Sequence, residues 1–237
     1  MTSRADDLNC FYSLMNELEV TCGGKRTLEI SGRSSGWPTR GVYFFFEDGE
    51  VREDGITPRV VRVGTHGLRP SRSTLWGRLS QHRGTVGGQM PGGGNHRGSV
   101  FRLHVGSALL RTRQWPEGIA TTWSVGSNAP REVRLVEYPL ELAVSQQIRT
   151  MPLLWVNVPD EPRAESDRGV IERGAIGLLS NLGRNAIDPS SPTWLGRSSA
   201  RDKISDSGLW NVNHVDEVPA VDWLSVFEKW LVQQSRQ

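Results

Sequence analysis

The apolar residues of this 237-residue chain fall into short blocks with two different periods. Between Asn9 and Val20 they recur at Phe11, Leu14, Met15 and Leu18, a spacing that lines one side of a helix. Gly41 to Glu47 (GVYFFFE) is instead a continuous β-branched and aromatic run, which predicts a strand, and the Asp48-Gly49 pair after it is a hairpin turn signal. The partner strand is Arg59 to Val63, ended by Gly64. A helix follows through Leu75, Trp76, Leu79 and His82, with Ser71 or Ser73 as its N-cap. Thr85 to Gly98 is glycine-rich, contains Pro91 and reads as a flexible loop. Ser99 to Val105 reads as a third strand, with a short helix near Ala108 to Thr112. Past a weakly patterned stretch come a helix at Leu140 to Met151, a strand at Leu153 to Val158 and a polar linker at Pro159 to Ser166. Asp167 then caps a helix whose apolar positions are Ile171, Ala175, Leu178, Leu179 and Leu182. Asp188 to Ser207 is polar, and Val221 to Gln234 is an amphipathic helix carrying Trp223, Phe227, Trp230 and Leu231.

These elements predict an α/β (α+β) fold: a small mixed β-sheet, built from 41–47, 59–63 and about 99–105, flanked by helices. Hydrophobic residues make up 36% of the chain, enough for a real core, and no apolar run approaches a membrane span. No basic segment followed by an apolar stretch opens the chain, so no secretion signal is read. Cys10 and Cys22 are too far apart for a metal knuckle and have no further cysteines to complete one. Two reduced cysteines and no membrane segment give a cytoplasmic expectation. Gly23-Gly24-Lys25-Arg26 lacks both the earlier glycine and the Ser or Thr after lysine that a phosphate loop needs.

Charge changes the picture. The net charge is only +2, yet Gly55 to Pro116 contains no Asp or Glu while holding ten arginines and four of the five histidines. Removing those ten from 28 basic residues leaves 18 against 26 acids, a net −8 for the remainder. A one-sign segment beside an acidic remainder is the footprint of a polyanion-binding face. Guanidinium groups, which outnumber lysines here, meet phosphate oxygens two at a time.

The region with the most specific spacing is Gly41 to His82. It presents Gly41-Val42-Tyr43 opening one strand, Arg62-Val63-Gly64 closing the next, and Arg78 and His82 four apart on the following helix (LWGRLSQH). This arrangement resembles the GIY-YIG nucleases, over roughly residues 40–110 and the helix at about 168–185. The resemblance implies an active site of Tyr43, Arg78 and a later glutamate, taken as Glu172 because it sits in an apolar-periodic helix (GVIERGAIGLLSN). The Arg78–His82 pair is most similar to the restriction-endonuclease branch, where the His joins the site and a later Asn is common; Asn181 is the first candidate for it and Asn211 the second. The sequence departs from the family at Arg62, which replaces the Tyr of the second triplet, and in the long interval between Arg78 and Glu172. The organisation implied is an N-terminal extension at 1–36, a core at 37–185 with an insertion at about 113–165, and a C-terminal extension at 186–237.

The resemblance further implies one magnesium or manganese ion per active site, held by Glu172, and hydrolysis of phosphodiester bonds in DNA, in restriction or defence. The residue chemistry agrees: a single carboxylate suffices for a cation that keeps most of its waters, Arg78 suits the scissile phosphate, Tyr43 the water, and His82 a proton or a phosphate. Arg62, His66, Arg83, His96 and Arg97 are the nucleic-acid-binding candidates, with Gly41 and Gly64 shaping the site. Taken singly, each has a structural explanation, a strand aromatic or a solvated helix face; order and spacing favour function. A decayed binding module, which Arg62 keeps open, and an RNase or repair nuclease with the same chemistry are the alternatives. One chain carries one such site, so cutting both strands takes a homodimer or successive nicks.

Overall fold

The computed structural model describes residues 3–163 and 165–236. Among them, strands β1 (Arg26–Thr27), β2 (Gly41–Val51), β3 (Pro58–Gly64) and β4 (Pro152–Asn157) form one sheet in the order β1-β4-β2-β3. Every pairing is antiparallel. β2 is central, with Tyr43 opposite Gly64 on one side and Trp155 on the other, and Phe45 opposite Arg62 and Leu153.

Side chains alternate across a strand, so β2 sends two sets of residues in opposite directions. Val42, Phe44 and Phe46 enter a core closed by α1 (Arg4–Cys22), α6 (Asp167–Leu179) and α8 (Trp223–Ser235). Rings of Phe11, Phe44 and Phe227 meet there at 5.6–6.0 Å. Tyr43 and Phe45 enter a second core, shared with α2 (Leu75–Arg83), α3 (Val100–Thr112) and α5 (Arg131–Thr150). Burial on both faces is why GVYFFFE is apolar throughout rather than alternating. The small helices α4 (Ile119–Thr122) and α7 (Asp202–Ser207) pack at the periphery.

Several local expectations change: the sheet is antiparallel throughout rather than mixed, Thr74 rather than Ser71 or Ser73 caps α2 by accepting the Gly77 N–H, and Ser166 rather than Asp167 caps α6 by accepting the Gly169 N–H. The segment 99–105 is the start of α3, not a strand: Ser99 is its N-cap, accepting the Arg102 N–H at 3.3 Å, and Phe101, Val105 and Ala108 are buried at helical spacing. The sheet position expected for it is filled by β4. The hairpin turns at Asp54-Gly55 rather than Asp48-Gly49. Asp54 accepts the N–H groups of Ile56 and Thr57 and the Thr57 hydroxyl, a turn-closing set, whereas Gly49 lies in an irregularity within β2. The glycine-rich loop is not free either. Thr85 N–H bonds Gly93 O at 2.7 Å, Tyr138 Oη donates to Pro91 O at 2.6 Å, and a Cβ at Gly94 would sit 2.2 Å from Cζ of Arg102. The glycines let backbone wrap a buried guanidinium.

Candidate active site

Tyr43 leaves the first part of β2 and lies across Gly64 of β3. A Cβ on Gly64 would stand 2.3 Å from Tyr43 Oη and 2.5 Å from Cζ, so only glycine admits the ring. Gly41 is equally constrained, since a Cβ there would be 2.4 Å from Val156 O. Thr65, just past β3, donates its hydroxyl to Gly41 O at 2.8 Å and its N–H to Glu172 Oε1 at 3.1 Å. The two glycine triplets and the first turns of α6 are thereby tied through one residue.

Tyr43, Arg62, Thr65, Arg78, Glu172 and His214 are among the residues lining one polar cleft of about 290 Å³. Arg78 spends only Nη1 on protein partners among the described residues, Gln81 Oε1 at 3.0 Å and Gly98 O at 3.2 Å. Arg62 is buried; Nη1 donates to Trp210 O at 2.6 Å, the guanidinium covers the Phe101 ring at 4.6 Å, and Nε has no hydrogen-bond partner among the described residues. Burial lowers its pKa; Tyr43 and Glu172 oppose the shift and Arg78 adds to it. Glu172 is half-buried, and burial raises its pKa against the pull of the Thr65 N–H, His214 and Arg62. Among the described residues it is the only carboxylate lining the cleft.

His82 does not line the cleft. It is fully buried behind Tyr43, with Nε2 2.8 Å from Tyr43 Oη and Nδ1 2.8 Å from Ser99 Oγ. The remaining candidates are mostly taken up by the fold. His66 is buried with Nδ1 near Ser73 Oγ at 3.3 Å and Nε2 unpartnered, and burial together with Arg168, Arg40 and Arg78 lowers its pKa to about 4. His96 accepts the Ser124 N–H at Nε2, faces Glu141 Oε1 at 3.0 Å through Nδ1, and stacks on Trp123. Arg97 grips Glu137 through both terminal nitrogens at 2.7 and 2.8 Å and also donates to Val125 O and Thr122 O. Arg83 donates to Ser31 O at 2.6 Å and covers Trp76. Asn181 lies away from the cleft, bracketing Ile187 and receiving Arg4.

Asn211, weighed second for the asparagine, does line the cleft. Its amide holds both the N–H and the C=O of Val63, at 3.1 and 2.8 Å, while Trp210 N–H donates to Val61 O at 2.8 Å. The 210–214 segment thus seals the outer edge of β3 and brings Asn213 and His214 into the wall. His214 faces Glu217 Oε1 at 2.7 Å and adopts a left-handed backbone at φ 65°. No local pattern announces the Asn211–Val63 contact that carries this segment to the cleft, because the partners lie about 150 positions apart.

Among the described residues no three His, Cys, Asp or Glu side chains gather as a metal cage. The donor set nevertheless suits a hard cation. Glu172 Oε1 is occupied by Thr65, and Oε2 takes no hydrogen bond among the described residues. A magnesium-sized ion accepts one carboxylate when water and phosphate oxygens supply the rest. A cation would also relieve the burial that raises Glu172.

An antiparallel sheet carrying Gly-Val-Tyr and Val-Gly on adjoining strands, with Tyr, Arg and Glu around one cleft, defines a class of phosphodiester-cleaving domain. The GIY-YIG domain model matches residues 2–237, and the chain belongs to the GIY-YIG family, whose members are nucleases. No curated protein and no solved structure matches it. Among the described residues no helix is long and apolar enough to cross a membrane.

Proposed function

We propose that this chain is a divalent-metal-dependent endonuclease that hydrolyses phosphodiester bonds in DNA, in the restriction-like branch of its family and in the cytoplasm. The observation that carries the reading is the meeting of Tyr43, Arg78 and Glu172 at one cleft, from three elements far apart in sequence. The Arg78–His82 spacing supports the branch, with His82 acting through Tyr43.

Each group has a distinct task. Arg78, with most of its donors unspent, holds the non-bridging oxygens of the scissile phosphate and offsets charge as it builds. Tyr43 orients water in line with the phosphorus; the new P–O bond forms as the ester P–O bond breaks, the water gives up a proton and the leaving oxygen gains one. Arg62 supplies a second cation from the cleft floor. Glu172 would hold a magnesium or manganese ion, which supplies Lewis-acid charge at the phosphate. Two guanidiniums against one carboxylate suit a polyanion. Arg69 and Arg72, exposed on the loop that runs from Leu68 of the cleft to α2, extend that surface. Double-strand cutting then takes a homodimer or two nicks.

The test is single-turnover cleavage of plasmid DNA with magnesium, beside an RNA substrate. Glu172→Gln should lower the rate by at least about 10²-fold while binding holds or strengthens, because it removes a negative charge near phosphate. Equal cleavage by parent and Glu172→Gln would refute the metal assignment. Arg62 in the second triplet favours one other reading, a module that binds without cutting. That reading predicts no magnesium-dependent cleavage by the parent chain.

A further inference from the structure

His82 is enclosed by the rings of Tyr43, Phe45 and Phe101, which meet it edge to face. Burial, reinforced by Arg78, Arg62 and Arg102, puts its pKa well below the ordinary imidazole value. The ring is therefore neutral, with a proton on one nitrogen and a lone pair on the other. Hydrogen-bond accounting fixes which is which. Ser99 Oγ already accepts the Arg102 N–H at 3.3 Å as the N-cap of α3. Its hydroxyl is buried, and among the described residues the only acceptor in reach is His82 Nδ1, at 2.8 Å. A buried O–H left without an acceptor is costly, so the hydroxyl donates to Nδ1. The ring proton then sits on Nε2, 2.8 Å from Tyr43 Oη.

We propose that Ser99 is a positioning residue for cleavage: it holds His82 as the Nε2–H tautomer, which donates to Tyr43 Oη and leaves the hydroxyl hydrogen free to turn toward the cleft. The inference rests on the reading of Tyr43 as the group that orients water. The opposite tautomer would make Tyr43 donate its only hydrogen backwards, into the core. One serine would thus set the direction of a hydrogen bond two steps away.

Two substitutions separate this role from helix capping, since Asn and Asp are both good N-caps. Ser99→Asn keeps a donor toward Nδ1. Ser99→Asp offers only acceptors, so His82 must move its proton to Nδ1. Nitrogen-15 NMR of the histidine-labelled full chain reads the tautomer directly: Nε2–H is expected in the parent and in Ser99→Asn, Nδ1–H in Ser99→Asp. In cleavage, Ser99→Asp should lose at least about tenfold in kcat with KM unchanged, while Ser99→Asn stays near the parent. A parent ring protonated at Nδ1 overturns the proposal, and so does a Ser99→Asp protein that has switched tautomer yet cleaves at the parent rate. If Ser99→Asp does not fold, the tautomer of the parent and the activity of Ser99→Asn still decide. Tyr43→Phe cleaving normally would instead remove the reading of Tyr43, leaving the tautomer result intact.

Discussion

Gly64→Ala is the smallest change that should disable the cleft. The backbone at Gly64 is outside the left-handed region, so alanine is acceptable there and any effect comes from its methyl group. That methyl would stand 2.3 Å from Tyr43 Oη, 2.5 Å from Cζ and 2.8 Å from Cε2. Ordinary carbon contacts lie near 3.5–4.0 Å, so the ring must retreat by about 1 Å or more. Tyr43 is packed against Phe45 and His82 and cannot tilt without disturbing them. Overpacking costs roughly 1–3 kcal/mol, and breaking the His82 hydrogen bond adds about 1 kcal/mol. For a chain of this size that is a fall in Tm of roughly 5–15 °C. Displacement of a reacting group by about 1 Å can cost about 10²-fold in rate, so turnover should suffer even where the protein remains folded. The assay is single-turnover cleavage well below the melting transition, for Gly64→Ala, Tyr43→Phe and the pair. If the methyl acts through the Tyr43 hydroxyl, the double substitution should be no slower than the slower single one. A Gly64→Ala protein with unchanged Tm and unchanged rate would refute the geometry.

Three further outcomes follow from the same structure. Arg69→Ala and Arg72→Ala should each reduce the slope of log affinity against log salt by about 0.9 on duplex DNA; an unchanged slope removes that loop from the interface. His66 and His104 are buried and have pKa values lowered to about 4 from 6.5, so the folded chain binds fewer protons than the unfolded one in this range. Stability is then fully present above pH 6.5 and lost as pH falls toward 4, by up to roughly 3 kcal/mol per histidine; urea titrations of the parent and His104→Leu should show a shallower loss in the variant. Arg62→Met should leave the free protein as stable or more so while slowing cleavage, and a loss of more than about 2 kcal/mol in denaturant unfolding would count against this reading of Arg62.

The parts of the fold that could be read from sequence are those whose pattern is local. The double-faced strand 41–47 shows as a continuous apolar run, α2 as an apolar period, and α8 as Trp223, Phe227 and Leu231 on one side. Tyr43, Arg78 and Glu172, which line one cleft, each lie in a short element of this local kind. The errors arise where burial depends on a distant partner. Phe101, Leu103 and Val105 alternate with Arg102 and His104, which imitates a strand facing water. In the fold Arg102 and His104 are buried, Arg102 because Glu141 of α5 receives it. The acid-free stretch misleads in the same way: Arg59, Arg97 and Arg102 are matched by Glu50, Glu137 and Glu141, all outside it. Much of a basic segment can therefore be internal wiring, and exposure separates Arg69 and Arg72 from it.

Arg62 stands apart from those pairs, and the contrast bears on function. A buried guanidinium is tolerated when a carboxylate answers it, as Glu50, Glu137, Glu141 and Asp160 do for Arg59, Arg97, Arg102 and Arg168. No carboxylate lies within ion-pair distance of Arg62 among the described residues; it has one carbonyl, one ring face, the neighbouring Tyr43 hydroxyl and an unpartnered Nε. Nothing in the hydrophobic cores requires a charge there, because Phe45 and Phe101 border the position and an apolar side chain would pack against them. A fold that neutralises its other buried arginines but leaves this one open to a cleft bears a cost in the free state. An anion entering the cleft removes that cost, and Arg78 lines the same cleft with donors to share it, which suits the phosphate of a nucleic acid. The substitution of arginine for tyrosine in the second triplet is in this light a change in how the cleft meets phosphate, and it fits an occupied cleft both in a nuclease and in a module that only binds; magnesium-dependent cleavage by the parent chain separates the two.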